Sequence, residues 1–357
     1  MVVVGIDPHK VTHTLVGVDA GGRKLEEITV PAGTAGHIKA LDWARRAFGS
    51  DVVWGIEDCR TLSSGLERDL LDAGQQVVRV PPHLMARTRA SARTRGKSDP
   101  IDALAVARTV LREPDLPVAS HDEVSREFKL LVDRREDLVS QRTMLINRLL
   151  WRVHELDPDH APPKHSLDHV KNQNELRSWL ATQPGLVAEL ACDELTDIAA
   201  LTDKCKALEK RIVAQVRAAA PSLLSVVGCG ELTAAKLLGE TAGVTRFRNE
   251  AAFARHAGVA PIPHSSGARN VHLRPSRPAN RQLNAALFRI AFTQIRHNGP
   301  AEAYYRKRRE AGDSHTGALR HVERRVARAV FGHMRADHFN RTTATEIVSS
   351  ASASLST

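Results

Sequence analysis

The chain has 357 residues, enough for two or three domains, and carries 51 lysines and arginines against 41 acids, a formal charge of +10. Such an excess favours a polyanionic partner, while an aromatic content of 4% gives little support to a base-stacking platform for single strands. No apolar run reaches transmembrane length, MVVVGIDPHK lacks the basic stretch of a signal peptide, and the four scattered cysteines (Cys59, Cys192, Cys205, Cys229) form no CxxC pair, so the expectation is a reduced cytoplasmic protein without a membrane anchor or zinc site.

The first 110 or so residues read as α/β. Val2–Ile6, Thr14–Val18 and Lys24–Val30 are short strand-like runs, the last two separated by the turn Asp19-Ala-Gly-Gly22. His37 to Phe48 has helical spacing through Ile38, Leu41, Trp43, Ala44 and Phe48. A strand over Asp51–Ile56, a helix over Leu62–Ala73 and a strand over Gln76–Val80, stopped by Pro81-Pro82, complete the series. A three-strand meander, then helix, strand, helix and strand, is the order of the ribonuclease H-like fold, in which the first and fourth strands adjoin. Asp7 follows the first run and Glu57 follows the fourth, so the two would lie side by side. A helix opening at KSDPIDA would bring Asp99 and Asp102 to the same end.

A single acid at a strand end commonly caps a helix or closes a turn. Ser98-Asp99-Pro100 also reads as a helix N-cap followed by proline at the first helical position. Four acids in this order point instead to a two-metal phosphodiester site, because hard cations such as Mg²⁺ need several carboxylate ligands. Between Met85 and Ser98, Arg87, Arg89, Arg93, Arg95 and Lys97 come with no acid among them and lead into the Asp99/Asp102 pair. Cations of this kind neutralise phosphates beside a nuclease centre.

Residues 121–156 form a long basic helical pattern, with Phe128, Leu131, Leu138, Leu145 and Leu149 interleaved by Arg134, Arg135, Arg142, Arg148 and Arg152. After a Pro/His-rich interruption at 157–169, Ile198, Leu201, Cys205, Leu208, Ile212 and Gln215 alternate three and four apart. The two segments are expected to pair as an antiparallel helical arm, within one chain or between chains. From Pro221 the character changes. Gly228 and Gly230 precede a helix in LLSVVGCGELTAAKLLGE, matching a helix-hairpin-helix whose turn offers backbone N–H groups to a phosphate, although an ordinary turn has the same spelling. A proline-bounded loop over 258–270 carries Ser265 and Ser266, followed by Arg269, His272, Arg274, Arg277 and Arg281, a cationic setting where a serine oxygen could meet a phosphate. A helix spans about 277–297, and the tail after Arg341, poor in large apolar residues, is expected to be disordered.

GIDPHK, GIEDCR, KSDPIDA, VVGCGELTAAKLL, FARHAGVAPIP, HSSG and NRQLNAAL, in that order, resemble the DEDD transposases of insertion sequences, a family that includes the Piv-type DNA invertases. The resemblance runs from Val2 to about His333. It implies an α/β plus α architecture: a RuvC-like catalytic domain over 1–112, a helical coiled-coil arm over 113–220, a C-terminal transposase domain over 221–340 and a tail over 341–357. Carried over by position, it implies metal ligands Asp7, Glu57, Asp99 and Asp102, and a serine nucleophile at Ser266, with Ser265 the fallback. Its further implications are Mg²⁺, DNA as substrate, guidance by a structured non-coding RNA of the element, and a homo-oligomer from dimer to tetramer in a cytoplasmic, nucleoid-associated protein. SRPANRQLN departs from the family's usual glycine pair before NRxLN. The rival expectations are a RuvC-like junction nuclease using activated water, an actin-like ATPase, and a non-enzymatic nucleic-acid-binding protein.

Overall fold

The computed structural model describes residues 1–57, 62–81, 84–85, 98–113, 116–120, 122–260, 262–263, 273–274, 279–297 and 299–354. The chain divides into two compact units, residues 1–122 with 245–248, and residues 123–244 with 249–357.

In the first unit the elements are β1 (Val2–Pro8), β2 (Thr12–Val18), β3 (Lys24–Pro31), α1 (Thr34–Phe48), β4 (Val52–Glu57), α2 (Ser64–Asp72), β5 (Gln76–Val80) and α3 (Asp99–Arg112). The sheet order is β3-β2-β1-β4-β5. β1 and β2, and β2 and β3, pair antiparallel; β4 runs parallel to β1 on one side and to β5 on the other. This is the ribonuclease H-like arrangement expected from the element order.

Both faces of the central strands are covered, which is why VVVGI reads as one apolar run rather than an alternation. Val4, Ile6, Leu15, Trp54 and Ile56 pack toward Ala40, Trp43, Leu66 and Leu70 of α1 and α2, while Val3, Val16 and Val18 meet Ala103 and Ala107 of α3. Gly5 sits where α3 crosses β1. A Cβ there would fall 2.1 Å from the Ala103 carbonyl oxygen and 2.4 Å from the Ala107 nitrogen, so the helix lies backbone to backbone on the strand. Only glycine permits that approach.

The second unit is helical: α4 (Glu123–Leu156), α5 (Val170–Leu180), α6 (Leu186–Ala219), α7 (Pro221–Leu224), α8 (Glu231–Thr241), α9 (Glu250–His256), α10 (Arg281–Arg296), α11 (Glu302–Glu310) and α12 (His315–Ser354), with the two-residue strands β6 (Ile262–Pro263) and β7 (Leu273–Arg274) between α9 and α10. α4 and α6 pack against each other within the chain. Glu127 meets Arg211 at 2.6 Å, Arg135 meets Glu209 at 3.1 Å and Arg152 meets Glu194 at 3.0 Å, a descending order that makes the pair antiparallel. The buried stripe of α6 is Leu195, Ile198, Thr202, Cys205, Ile212 and Val216. Leu201, Leu208 and Gln215 of the expected heptad are only half-buried, because Thr202 and Val216 turn inward in place of Leu201 and Gln215.

α4, α5 and α6 fall in the same compact unit as the C-terminal segment. α12 continues to Ser354, through the tail read as disordered. Extending a helix already nucleated upstream adds one hydrogen bond per residue, and Ala344, Ala351 and Ala353 are good formers, so few large apolar groups are needed. Asp337, buried on α12, accepts hydrogen bonds from the Ser222 and Leu223 backbone nitrogens at 2.9 Å each, capping the start of α7.

Candidate active site

The four acids predicted as one constellation lie in the first unit. Ile6 of β1 pairs with Ile56 of β4 in parallel register, so Asp7 and Glu57, the next residues on each strand, stand side by side at the end of that pairing, Asp7 still paired with Thr14 and Glu57 with Val80. Gly5, two residues before Asp7, is the point of contact with α3, and this fixes the N-terminal turn of α3, with Asp99 and Asp102, over the same end. Asp7 and Asp102 are each 6% exposed. Burial above all pushes the Asp7 carboxyl up to about 6; His9 pulls it the other way, and Asp102, Asp99 and Glu57 each add to the rise. Each of the other three acids therefore bears electrostatically on Asp7.

Ser98, not Asp99, is the N-cap of α3, and it makes no side-chain capping bond. Asp99 is thereby the first helical residue, and its carboxylate meets His9 Nε2 at 3.5 Å. The other ring nitrogen of His9, Nδ1, lies 3.7 Å from Asp7 Oδ2. His9 was not among the residues singled out from sequence. Its only signal there was a histidine two positions past a strand-end aspartate, in Asp-Pro-His; the tight β1–β2 hairpin, where His9 N donates to the Thr12 carbonyl at 2.9 Å, holds it beside the acids.

The residues fit a divalent cation. Asp7 Oδ2 is buried and accepts no hydrogen bond among the described residues, a costly state for a carboxylate unless a cation or proton joins it. Ligand atoms of Asp7, His9 and Asp99 all lie within 4.8 Å of one another. Carboxylate oxygens are the donors hard divalent ions take, and the imidazole adds a nitrogen donor.

On the opposite face of the sheet, the next residue of β2 after Thr12, His13, stacks on His37 of α1, with ring centroids 5.4 Å apart and planes at 20°. His37 Nδ1 contacts Asp69 Oδ2 of α2 at 2.5 Å, whereas His13 Nδ1 and His37 Nε2 are buried without hydrogen-bond partners among the described residues. Burial, then His37 and His9, push His13 down to about 4 from an ordinary 6.5, against a backbone hydrogen bond at Thr12. The folded state thus binds fewer protons than the unfolded one. The stability this neutral ring confers is complete above pH 6.5 and is lost as pH falls from there toward 4, up to roughly 3 kcal/mol. His13→Phe, which keeps the stack, is expected to flatten the fall in melting temperature over that window; equal slopes in both proteins would refute the assignment.

Ser265, Ser266 and Arg269 lie outside the described residues, as do Arg87, Arg89, Arg93, Arg95 and Lys97. The flanks of the serine segment are described. β6 pairs antiparallel with β7, Ile262 beside Arg274 and Pro263 beside Leu273. Asn280 then caps α10 by accepting from the Gln282 and Leu283 nitrogens at 2.9 and 3.0 Å, donates to Glu240 at 2.8 Å, and bonds the His256 carbonyl through its own N–H at 2.8 Å. Asn284 donates to the Ala257 carbonyl at 3.2 Å. The NRxLN motif thus ties the end of the segment to its beginning. Gly228 has φ +84°, and Gly230 is the N-cap of α8. Glu231 stands at that helix start, paired with Arg217 at 2.7 Å, and this bond with its own backbone contact holds its carboxyl below the ordinary range.

The sheet order is that of the ribonuclease H-like fold. A transposase family profile named for the DEDD enzymes of IS110 elements matches residues 4–156, and a second, the transposase IS116/IS110/IS902 family, matches residues 220–306, between them most of the chain. Both profiles, with the relatives that follow, support an IS110-type insertion-element transposase. It is 28% identical to the 44.8 kDa protein of insertion element IS116 from Streptomyces clavuligerus, over 90% of this chain and 92% of that one. To the 42 kDa protein of IS900 from Mycobacterium paratuberculosis it is 25% identical, over 94% and 95%. Among solved structures, Thermus thermophilus RuvC is similar at 19% identity, covering 30% of this chain and 92% of that chain with a TM-score of 0.25, as is the same protein with its Holliday junction substrate, at 20% identity, 30% and 91% coverage and a TM-score of 0.23.

Proposed function

We propose that this transposase is a Mg²⁺-dependent DNA recombinase that cuts and rejoins strands through a 5′-phosphoserine link. The observation that carries the metal dependence is the buried Asp7 oxygen, without a hydrogen bond among the described residues, beside three further acids. Asp7, Glu57, Asp99 and Asp102 hold the cation or pair of cations, with His9 at the rim. When bound, a divalent cation neutralises charge on the scissile phosphate and lowers the pKa of an attacking hydroxyl.

The position of HSSG between β6 and β7, with both flanks tied down by Asn280 and Asn284, supports Ser266 as the nucleophile. Its Oγ bonds to the scissile phosphorus as the bond from phosphorus to the 3′-oxygen breaks. The serine proton is given up, and the departing oxygen takes one up to become a 3′-hydroxyl. One phosphodiester is exchanged for another, so rejoining by the reverse attack needs no outside energy source. Arg87, Arg89, Arg93, Arg95, Lys97, Arg269 and Arg274 hold phosphates along the strands. The Gly228–Gly230 turn would do so against competition from Glu231. The family resemblance and the +10 charge support an element-encoded structured RNA as guide and a homo-oligomer as the working form.

The test is a denaturing gel of labelled element-end and target DNA incubated with protein, the element's transcript and Mg²⁺, with EDTA as control. A slow, protease-sensitive band that needs Mg²⁺ is expected. Mg²⁺-dependent nicks without that band would make the protein a water-using nuclease, and no cutting at all would sink both.

A further inference from the structure

We propose that the arginine-walled groove along α12, in the helical unit, is a second nucleic-acid site, which takes a sugar–phosphate backbone. The groove is open, has a volume of about 790 Å³ and is lined by Arg324, Arg325, Arg328, His333, Glu250 of α9 and the small residues Ala329, Gly332 and Ala336. Three guanidinium groups face one carboxylate. Glu250 bridges Arg324 and Arg328 at 3.1 Å each, and Arg325 lies over the Tyr304 ring at 4.0 Å, so all three side chains are braced from within the protein. Arg328 remains 77% exposed on its side chain, with donors to spare. Braced, forked guanidiniums suit phosphate oxygens better than free lysines do, because less side-chain entropy is lost on contact.

Gly332 is the second, independent observation. A glycine inside a helix costs about 1 kcal/mol relative to alanine. Gly239, inside α8, has a packing reason, since a Cβ would strike the Lys129 backbone at 2.8 Å. A Cβ on Gly332 would meet nothing within 4 Å among the described residues. The space lies beside the groove that Gly332 lines, where a ligand backbone can come close to the helix.

The arginines of α4 make a useful contrast. Arg135, Arg142 and Arg152 are paired with Glu209, Asp168 and Glu194 at 3.1, 3.1 and 3.0 Å. That face is spent on internal ion pairs, whereas the α12 groove keeps an excess of positive charge.

The experiment measures fluorescence anisotropy of a labelled DNA duplex and a labelled RNA stem-loop with the full chain in EDTA, across a salt series, so it does not depend on strand cutting. The Arg325→Gln/Arg328→Gln double variant is expected to weaken binding and reduce the salt slope by about 0.9 for each phosphate no longer neutralised. Gly332→Leu is expected to weaken binding without lowering the melting temperature. Glu250→Gln releases two guanidiniums and is expected to tighten it, whereas a purely structural tie would give instability and no gain. The probe whose affinity moves identifies the ligand as DNA or RNA. Unchanged affinity for both probes in the double variant and in Gly332→Leu would overturn the proposal, as would a groove that responds only to an acidic polypeptide competitor.

Discussion

Asp7→Asn is expected to raise the melting temperature of the metal-free protein and abolish strand cutting at once. The carboxylate is buried, one oxygen has no hydrogen bond among the described residues, and burial with the neighbouring acids pushes its pKa up from 3.8 to about 6. A carboxyl whose folded pKa is raised supports the fold most fully below its unfolded value, and that support is lost as pH rises through the folded one. Above pH 6 the native protein therefore carries a charge penalty on the order of 3 kcal/mol, which asparagine removes. The same substitution removes a charged oxygen ligand, worth several kcal/mol of transition-state stabilisation, or a rate loss of about a thousandfold or more. Calorimetry in EDTA and in Mg²⁺ separates the two effects. Mg²⁺ should raise the melting temperature of the wild type, by about 2.7 kcal/mol of stability at a hundred times its Kd, and leave the variant unmoved. A variant less stable than wild type in EDTA, or one that responds equally to Mg²⁺, would show that Asp7 is not held there for a cation.

The second large effect falls on the serine pair. Ser266→Ala should eliminate the covalent protein–DNA band, with rejoining reduced by about 10⁴-fold or more, the scale on which loss of a covalent nucleophile is felt. Ser265→Ala should retain the band. The comparison matters because the two hydroxyls are adjacent in HSSG, and only one can be in line with the scissile bond. Loss of the band in Ser265→Ala alone would move the nucleophile by one residue. Persistent Mg²⁺-dependent nicking in Ser266→Ala would show that water attacks and that serine and acids do not share a reaction.

Much of the first unit was legible because its signals are local. Val2–Ile6 and Asp51–Ile56 are short apolar runs bounded by turns, and β1 and β4 extend them by only one or two residues. Their adjacency came from element order, and the acids followed from it. His9 was not legible, since a histidine after proline carries no period and gains its place only when the hairpin folds back. The α6 stripe was half legible: Ile198, Cys205 and Ile212 are buried as the spacing suggested, but Thr202 rather than Leu201 faces α4. There α4 presents Arg142, whose guanidinium donates to the Thr202 hydroxyl at 3.4 Å, and hydropathy cannot anticipate a polar partner of this kind. Gly332 left no sequence signal, because a glycine surrounded by helix formers differs from an ordinary one only in what a side chain would touch.

The contact of Gly5 with Ala103 and Ala107 limits how this enzyme could be retuned. Where a helix rests on a strand through side chains, exchanging a leucine for a valine can move a ligand by fractions of an ångström. At Gly5 the strand presents no side chain to the helix, so the closest approach beneath the Asp7/Glu57 and Asp99/Asp102 pairs is set by main-chain dimensions. Selection, or an engineer seeking a larger ion, is left with the reach of the ligand arms as the adjustable quantity: aspartate against glutamate, or a changed residue at the His9 rim.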